Sequence, residues 1–164
     1  MNKTSVILPG SYDPVTVGHL DIIRRASEKY DEVYAVVFVN PDKEYTFSLQ
    51  ERVRMLILAT DSLENVIVSY STGLVIDYMR EHGIEKIIKG YRNETDLEYE
   101  KLQAEWNYKN GGYETELWKS EAEFTNVSST AARKAIEKGG ELSGLLPQSV
   151  IDYIKTARTN PYGY

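Results

Sequence analysis

Val6-Ile7-Leu8-Pro9-Gly10-Ser11-Tyr12-Asp13-Pro14-Val15-Thr16-Val17-Gly18-His19 carries an apolar run through a turn rich in glycine and proline and into an amphipathic segment. The apolar run suits a buried strand. Beyond the turn, Leu20, Ile23, Ser27 and Tyr30 fall along one side with helical period, so a helix is expected to begin near Gly18. The first turn of such a helix has backbone N–H groups without intrahelical partners at the positive end of its dipole, which favours a bound phosphate. Gly10 and Gly18 permit close approach of the backbone to a ligand. Thr16 and His19, three positions apart, can lie on one side of that turn and aim a hydroxyl and an imidazole at one bound group. Gly-His alone would mark no more than a turn and a solvated histidine; the strand, turn and helix around it give the string its meaning.

The same alternation continues down the chain. Residues 33–39, 66–70, 86–88 and 114–118 join 6–8 as strand-like runs, and the run at 33–39 is almost wholly apolar, as in a sheet covered on both faces. Helical periods lie between them. Val53, Leu56, Ile57 and Thr60 trace one face, and Ser48 with Glu51 has the spacing of a capping box at its start. Further helices are expected from Gly73 to Gly83, from about Thr95 to Asn110 with Tyr99, Leu102 and Trp106 on one face, from Ser128 or Ser129 to Gly139-Gly140, and from Pro147 onward. The pattern predicts an α/β fold, a Rossmann-like doubly wound five-stranded parallel sheet with C-terminal helices, in one domain over residues 1–164.

Composition narrows the function. The 164 residues are 41% hydrophobic, enough for one sizeable core, and contain no cysteine, which removes disulfides, thiolate metal sites and a cysteine nucleophile. No apolar run approaches the length of a membrane span and the N-terminus has no signal-peptide pattern, so a soluble cytoplasmic protein is expected. A formal charge of −6 disfavours a broad nucleic-acid or anionic-membrane surface. An anionic substrate must then be held by a few placed cations and helix ends. No Walker-type G-x-x-x-x-G-K-[ST] string occurs, which excludes a P-loop kinase.

In a parallel sheet the loops after the strands gather along one rim, where ligands bind. Asn40-Pro41-Asp42-Lys43 brings a lysine there after the second strand, and Lys89-Gly90-Tyr91-Arg92 brings two cations after the fourth, the glycine permitting a sharp turn. Acidic residues at 94, 96, 98 and 100 offer those cations an alternative as ion-pair partners. Val127-Ser128-Ser129-Thr130-Ala131-Ala132-Arg133 sets three hydroxyls at a helix start with an arginine one turn in. His82, the only other histidine, stands before Gly83 near a helix stop and reads as structural.

Thr16-Val17-Gly18-His19 resembles the (H/T)-x-G-H signature of the nucleotidylyltransferase superfamily, and Val127-Ser128-Ser129-Thr130-Ala131-Ala132-Arg133 resembles its I-S-S-T-x-x-R signature. Across nearly its whole length the chain is similar to the phosphopantetheine adenylyltransferase family, through residues 9–23, the Asn40-Pro41-Asp42-Lys43 turn, residues 46–53 and 73–78, the 89–92 turn, and above all Asp96-Leu97-Glu98-Tyr99-Glu100. The resemblance implies transfer of the adenylyl group of ATP to 4′-phosphopantetheine, giving dephospho-coenzyme A and pyrophosphate, the penultimate step of coenzyme A synthesis. It implies that His19, Thr16, Lys43 and Arg92 are catalytic. It assigns Ser11, Tyr12, Gly18, His19, Gly90, Arg92, Glu100, Phe124, Val127, Ser128, Ser129 and Thr130 to ATP, and Ser11, Lys43, Gly73, Leu74, Val75 and Lys89 to the acceptor. Mg2+ is expected on the ATP phosphates and not in a protein cage. A homohexamer is implied.

Three positions depart from that family's usual pattern: Lys89 replaces an arginine, Lys43-Glu44-Tyr45 replaces Lys-Lys-Pro, and Phe124-Thr125-Asn126 replaces Trp-Ser-Phe or Tyr-Ser-Phe. Lys89 keeps the charge and loses the bidentate fork. Two alternatives stay open at this point: a nucleotidylyltransferase for another small phosphorylated acceptor such as nicotinate mononucleotide, and a non-catalytic nucleotide-binding module on the same fold.

Overall fold

The computed structural model describes residues 3–159. Five strands, β1 (Ser5–Gly10), β2 (Glu32–Phe38), β3 (Val66–Ser71), β4 (Lys86–Tyr91) and β5 (Glu114–Lys119), form one parallel sheet in the order β3-β2-β1-β4-β5. Helices α1 (Val17–Lys29), α2 (Leu49–Thr60), α3 (Val75–His82) and α4 (Glu94–Gly111) join successive strands, and α5 (Ser129–Lys138) and α6 (Gln148–Thr159) close the described chain. This is the expected doubly wound α/β sheet. Strand order reverses at the β1/β4 junction, where crossovers leave in opposite directions and a crevice opens at the strand C-termini.

Period-two alternation explains the two layers. Val6 and Leu8 of β1, Val33, Ala35 and Val37 of β2 and Ile88 of β4 face a core made with Ile22, Ile23 and Ala26 of α1, Met55 and Leu56 of α2, and Val150, Ile151 and Ile154 of α6. The intervening Ile7, Val36 and Ile87 face a second core with Tyr78 and Met79 of α3. Both faces are covered, so the central strands read as continuous apolar runs.

Several local expectations shift. The buried side of α1 is Asp21, Ile22, Ile23 and Ala26, and that of α2 is Arg52, Met55, Leu56, Ala59 and Thr60, with Ile57 exposed. The Ser48–Glu51 capping box is present in both directions, at 3.1 and 3.0 Å. β4 runs to Tyr91, so Gly90 is a strand residue and makes no sharp turn. Its missing side chain is needed for packing: a Cβ there would lie 3.0 Å from Ile22 Cγ1. α4 leaves Tyr99, Leu102 and Trp106 exposed, and its half-buried side is Asp96, Leu97, Glu100, Ala104, Asn107 and Gly111. Glu100, Ala104 and Asn107 of this side form part of the wall of a cavity. His82 caps the end of α3, its Nδ1 2.9 Å from the Tyr78 carbonyl and its ring stacked on Tyr78 at 3.9 Å, in the structural role expected of it.

Gly111 tests how closely α3 and α4 approach. An added Cβ would sit 2.9 Å from Ile76 Cγ2 and 3.0 Å from both Ile76 Cβ and Tyr113 Cδ2. Alanine raises helix propensity by up to about 1 kcal/mol, whereas overpacking costs about 1–3 kcal/mol. Gly111→Ala is therefore expected to destabilise the fold in urea titrations, and it should cost less in an Ile76→Ala background, where the clashing Cγ2 is gone, than in the wild type. A stabilised Gly111→Ala protein would show that the two helices do not meet as described.

Candidate active site

The turn after β1 is held from three sides. Asp13, 4% exposed, accepts the backbone N–H groups of Thr46 and Phe47 at 2.9 Å each, which ties the loop after β2 to it. Arg52, buried on α2, donates to the carbonyls of Ser11 at 3.0 Å and Phe47 at 3.2 Å. Arg133 of α5 donates to the Asp13 carbonyl at 2.9 Å, and Ser129 Oγ to that of Pro14 at 2.8 Å. Two other segments of the rim, the loop between β2 and α2 and the start of α5, are thereby fastened to this turn. Neither Asp13 nor Arg52 was singled out from the sequence, because nothing in their local spacing shows that their partners come from another loop.

Within this frame Tyr12 has a left-handed backbone, φ 47°, uncommon for a residue with a side chain. Its ring is buried, its hydroxyl donates to the Leu8 carbonyl at 2.8 Å, and burial raises its pKa. The ring meets the edge of His19 with centroids 5.1 Å apart. Glycine at position 10 leaves room for this arrangement, since a Cβ there would come within 3.2 Å of the Tyr12 ring.

His19 is fixed by the start of α1. Thr16 is the N-cap, and its Oγ1 accepts the His19 N–H at 3.2 Å. In return the Thr16 N–H donates to His19 Nδ1 at 3.0 Å, and Thr16 Oγ1 lies 3.0 Å from the same nitrogen. A backbone N–H can only donate, so Nδ1 carries no proton and the neutral ring holds its hydrogen on Nε2. The Thr16 hydroxyl is thus occupied in orienting the imidazole instead of aiming at a ligand beside it. Burial, with smaller contributions from Lys89 and Arg92, lowers the His19 pKa to about 4. At neutral pH the free site presents an uncharged Nε2–H donor.

The expected site residues divide between two adjoining cavities. The smaller, about 270 Å³, is lined by Tyr12, Thr16, Gly18, His19, Gly90, Arg92, Glu100, Val127, Ser128 and Ser129. The larger, about 810 Å³, is lined by Ser11, Lys43, Gly73, Leu74, Val75 and Lys89, together with Gln103, Ala104 and Asn107 of α4. Pro9, Lys89 and Glu100 border both. Phe124 and Thr130 line neither, although the Phe124 Cβ lies behind Gly18. Gln103, Ala104 and Asn107 escaped sequence reading because an amphipathic helix is normally read with its apolar side inward.

The smaller cavity receives two helix starts. Ser128 is the N-cap of α5 and accepts the Ala131 N–H at 3.0 Å, while Thr130 Oγ1 accepts from Arg133 at 3.1 Å. The hydroxyls of this loop therefore serve the protein, and the first-turn N–H groups of Ser129 and Thr130 are those without intrahelical partners. The two cations of the 89–92 segment have carboxylate partners. Arg92 makes a fork with Asp96 at 2.9 and 3.2 Å, and Lys89 donates to the Pro9 carbonyl at 3.1 Å with Glu100 at 3.7 Å. Burial of Glu100 raises its pKa despite the neighbouring Lys89.

The His19 environment gives a pH signature. Its folded pKa of about 4 lies below the ordinary 6.5, so between these values the unfolded chain binds a proton that the folded chain does not. Stability contributed by the neutral ring is complete above pH 6.5 and is lost as pH falls toward 4. Thermal unfolding midpoints of the wild type should fall more steeply across that interval than those of His19→Asn. Parallel curves would show that the imidazole is not held neutral.

Comparison with known proteins agrees with this geometry. The cytidylyltransferase-like family matches residues 7–135, a span that includes both helix-start motifs. The phosphopantetheine adenylyltransferase of Clostridium novyi (strain NT) is 42% identical over 146 residues, covering 88% of this chain and 91% of that protein. A parallel sheet opening at its switch point, a histidine locked into the first turn of α1, and this extent of identity place the chain in the phosphopantetheine adenylyltransferase family of cytidylyltransferase-like nucleotidyltransferases.

Proposed function

We propose that this enzyme transfers the adenylyl group of ATP to 4′-phosphopantetheine, releasing pyrophosphate and forming dephospho-coenzyme A. The observation that carries the reading is the junction of the two cavities at Pro9, Lys89 and Glu100, with His19 on one side and Lys43 on the other. ATP occupies the smaller cavity, its phosphates toward the starts of α1 and α5 and the Arg92 guanidinium. The acceptor lies in the larger one, its phosphate toward Lys43 and Lys89 and its arm along Gly73, Leu74 and the half-buried side of α4.

The reaction asks little proton chemistry of the protein. The acceptor phosphate is already an anion, and one of its oxygens attacks the α-phosphorus in line as the bond to the bridging oxygen breaks and pyrophosphate leaves with that electron pair. His19 Nε2–H donates a hydrogen bond to the negative charge that builds on the α-phosphate, and the Lys43 ammonium supports the same charge. Thr16 acts through His19. Mg2+ arrives as part of the substrate, bound to triphosphate oxygens; among the described residues no cluster of three or more His, Cys, Asp or Glu could hold a metal ion.

The reading extends to a single nucleotidylyltransferase domain in a cytoplasmic homohexamer. Among the described residues no helix is long and apolar enough to cross a membrane. The exposed Leu102 and Trp106 of α4 supply an apolar surface suited to contact between copies.

Incubation with ATP, Mg2+ and 4′-phosphopantetheine should yield dephospho-coenzyme A and pyrophosphate in equal amounts by chromatography. Turnover with nicotinate mononucleotide alone would replace the acceptor, and nucleotide binding without turnover would replace the enzyme with a binding module. In initial-rate kinetics, His19→Ala should lower kcat by about 10²–10³ or more, the loss typical of one preorganised donor. Arg92→Ala should raise the KM for ATP, reflecting loss of contacts worth about 1.5–3 kcal/mol. Lys43→Ala should act mainly on kcat and the acceptor. Arg92 and Lys43 variants that both affect only the acceptor would contradict this allocation.

Lys89 gives a separate test. Lys89→Arg should retain or improve acceptor affinity, since a guanidinium makes two parallel bonds to phosphate where an ammonium makes a less directional contact. Lys89→Ala should weaken it strongly. Equal affinity in all three proteins would remove Lys89 from the acceptor phosphate.

A further inference from the structure

The loop between β2 and α2 carries Lys43 on a β-turn: the Lys43 N–H donates to the Asn40 carbonyl at 3.1 Å, and the Asp42 N–H to Asn40 Oδ1 at 3.0 Å. That turn fixes the lysine backbone and leaves its four-carbon side chain exposed. Tyr45, one of the positions where the chain departs from its family's pattern, lies two residues on. Its hydroxyl accepts the Asn40 N–H at 2.9 Å, so the side chain returns across the loop to the start of the turn. Its ring lies against two cations. The Arg52 guanidinium is 3.8 Å from the ring centroid and Lys43 Nζ is 5.4 Å from it.

Arg52 packs against the face of this ring. It is 2% exposed, it forms no ion pair among the described residues, and its donors go to the carbonyls of Phe47 and Ser11. The electron-rich face of Tyr45 is the remaining partner for its charge. A chain of contacts thus runs from the turn after β1 through Ser11 and Arg52 to Tyr45, and from Tyr45 to the ammonium at the edge of the acceptor cavity.

We infer that Tyr45 is a positioning residue for Lys43, its ring holding the ammonium at the acceptor cavity. The inference rests on the role given above to Lys43. An exposed lysine samples many rotamers, and a π face within reach narrows them before the phosphate arrives. The side chain can leave the ring for a full negative charge, which attracts it more strongly.

The test is a double-mutant cycle on adenylyl transfer. Tyr45→Leu should lower kcat by about 2- to 30-fold, the range spanned by a cation–π contact, with the KM for ATP unchanged. Tyr45→Phe, which keeps the ring and loses only the hydroxyl contact to Asn40, should restore most of that loss. In a Lys43→Ala background, Tyr45→Leu should cost markedly less, the remainder being the loss of the ring that Arg52 packs on. Equal losses from Tyr45→Leu with and without Lys43, or a Phe variant as poor as the Leu variant, would overturn the inference and leave Tyr45 as a loop anchor.

A second readout needs no turnover. In proton NMR spectra of the whole protein, the ε-methylene of Lys43 should shift upfield from the ring current, and the shift should persist in Tyr45→Phe and vanish in Tyr45→Leu. If it is absent, or survives Tyr45→Leu, the contact is wrong while the role of Lys43 stands. If Lys43→Ala alone costs no activity, that role fails, and the positioning function of Tyr45 fails with it.

Discussion

The reciprocal bonds between Thr16 and His19 set the chemistry of the site, because one pair of contacts fixes three things together. They start α1, orient the imidazole, and make Nδ1 an acceptor so that the ring hydrogen resides on Nε2. A Glu or Gln usually makes the return bond of a capping box. With histidine in that place, the energy of starting the helix is also the energy of holding a donor in a defined tautomer. The surroundings add to this by keeping the ring uncharged, since burial and the nearby Lys89 and Arg92 all oppose the imidazolium.

The wider site follows from how loops are fastened to the turn after β1. Asp13 uses both carboxylate oxygens on the loop after β2, Arg52 joins that loop to Ser11, and Arg133 and Ser129 bring α5 alongside. These are contacts between segments far apart in sequence, made by buried or half-buried polar groups, where a lost partner costs most. The cavities are consequently preorganised. Two of the cations inside them already have counter-charges, Arg92 with Asp96 and Lys89 with Glu100, so these are aimed without being left unpaired. In our proposal, substrate phosphates compete for those donors instead of having to order them.

Much of this was legible in the chain because local chemistry declared it. Strand runs, the presence and order of the helices, the Ser48–Glu51 box and the Gly83 and Gly139 helix stops are short-range signals, and they appear in the structure, whereas the buried faces of the helices differ from the expected ones. What was hidden depends on distance in sequence. Gly90 read as a turn because its partner Ile22 lies on another element, and the Thr16 hydroxyl read as a ligand contact because its engagement by His19 is a matter of side-chain geometry. α4 shows the same limit more sharply. Its large apolar residues Leu102 and Trp106 are exposed while Glu100, Gln103 and Asn107 line a cavity, an arrangement that hydrophobic periodicity cannot reveal.

The most direct measurement is a nitrogen–proton correlation spectrum of the His19 imidazole, recorded across a pH series on the ligand-free protein. The account predicts a neutral ring with its hydrogen on Nε2 throughout the neutral range, taking up a second proton only as pH approaches about 4. A hydrogen on Nδ1, or a titration at the ordinary 6.5, would contradict the lock between Thr16 and His19 on which the site is built.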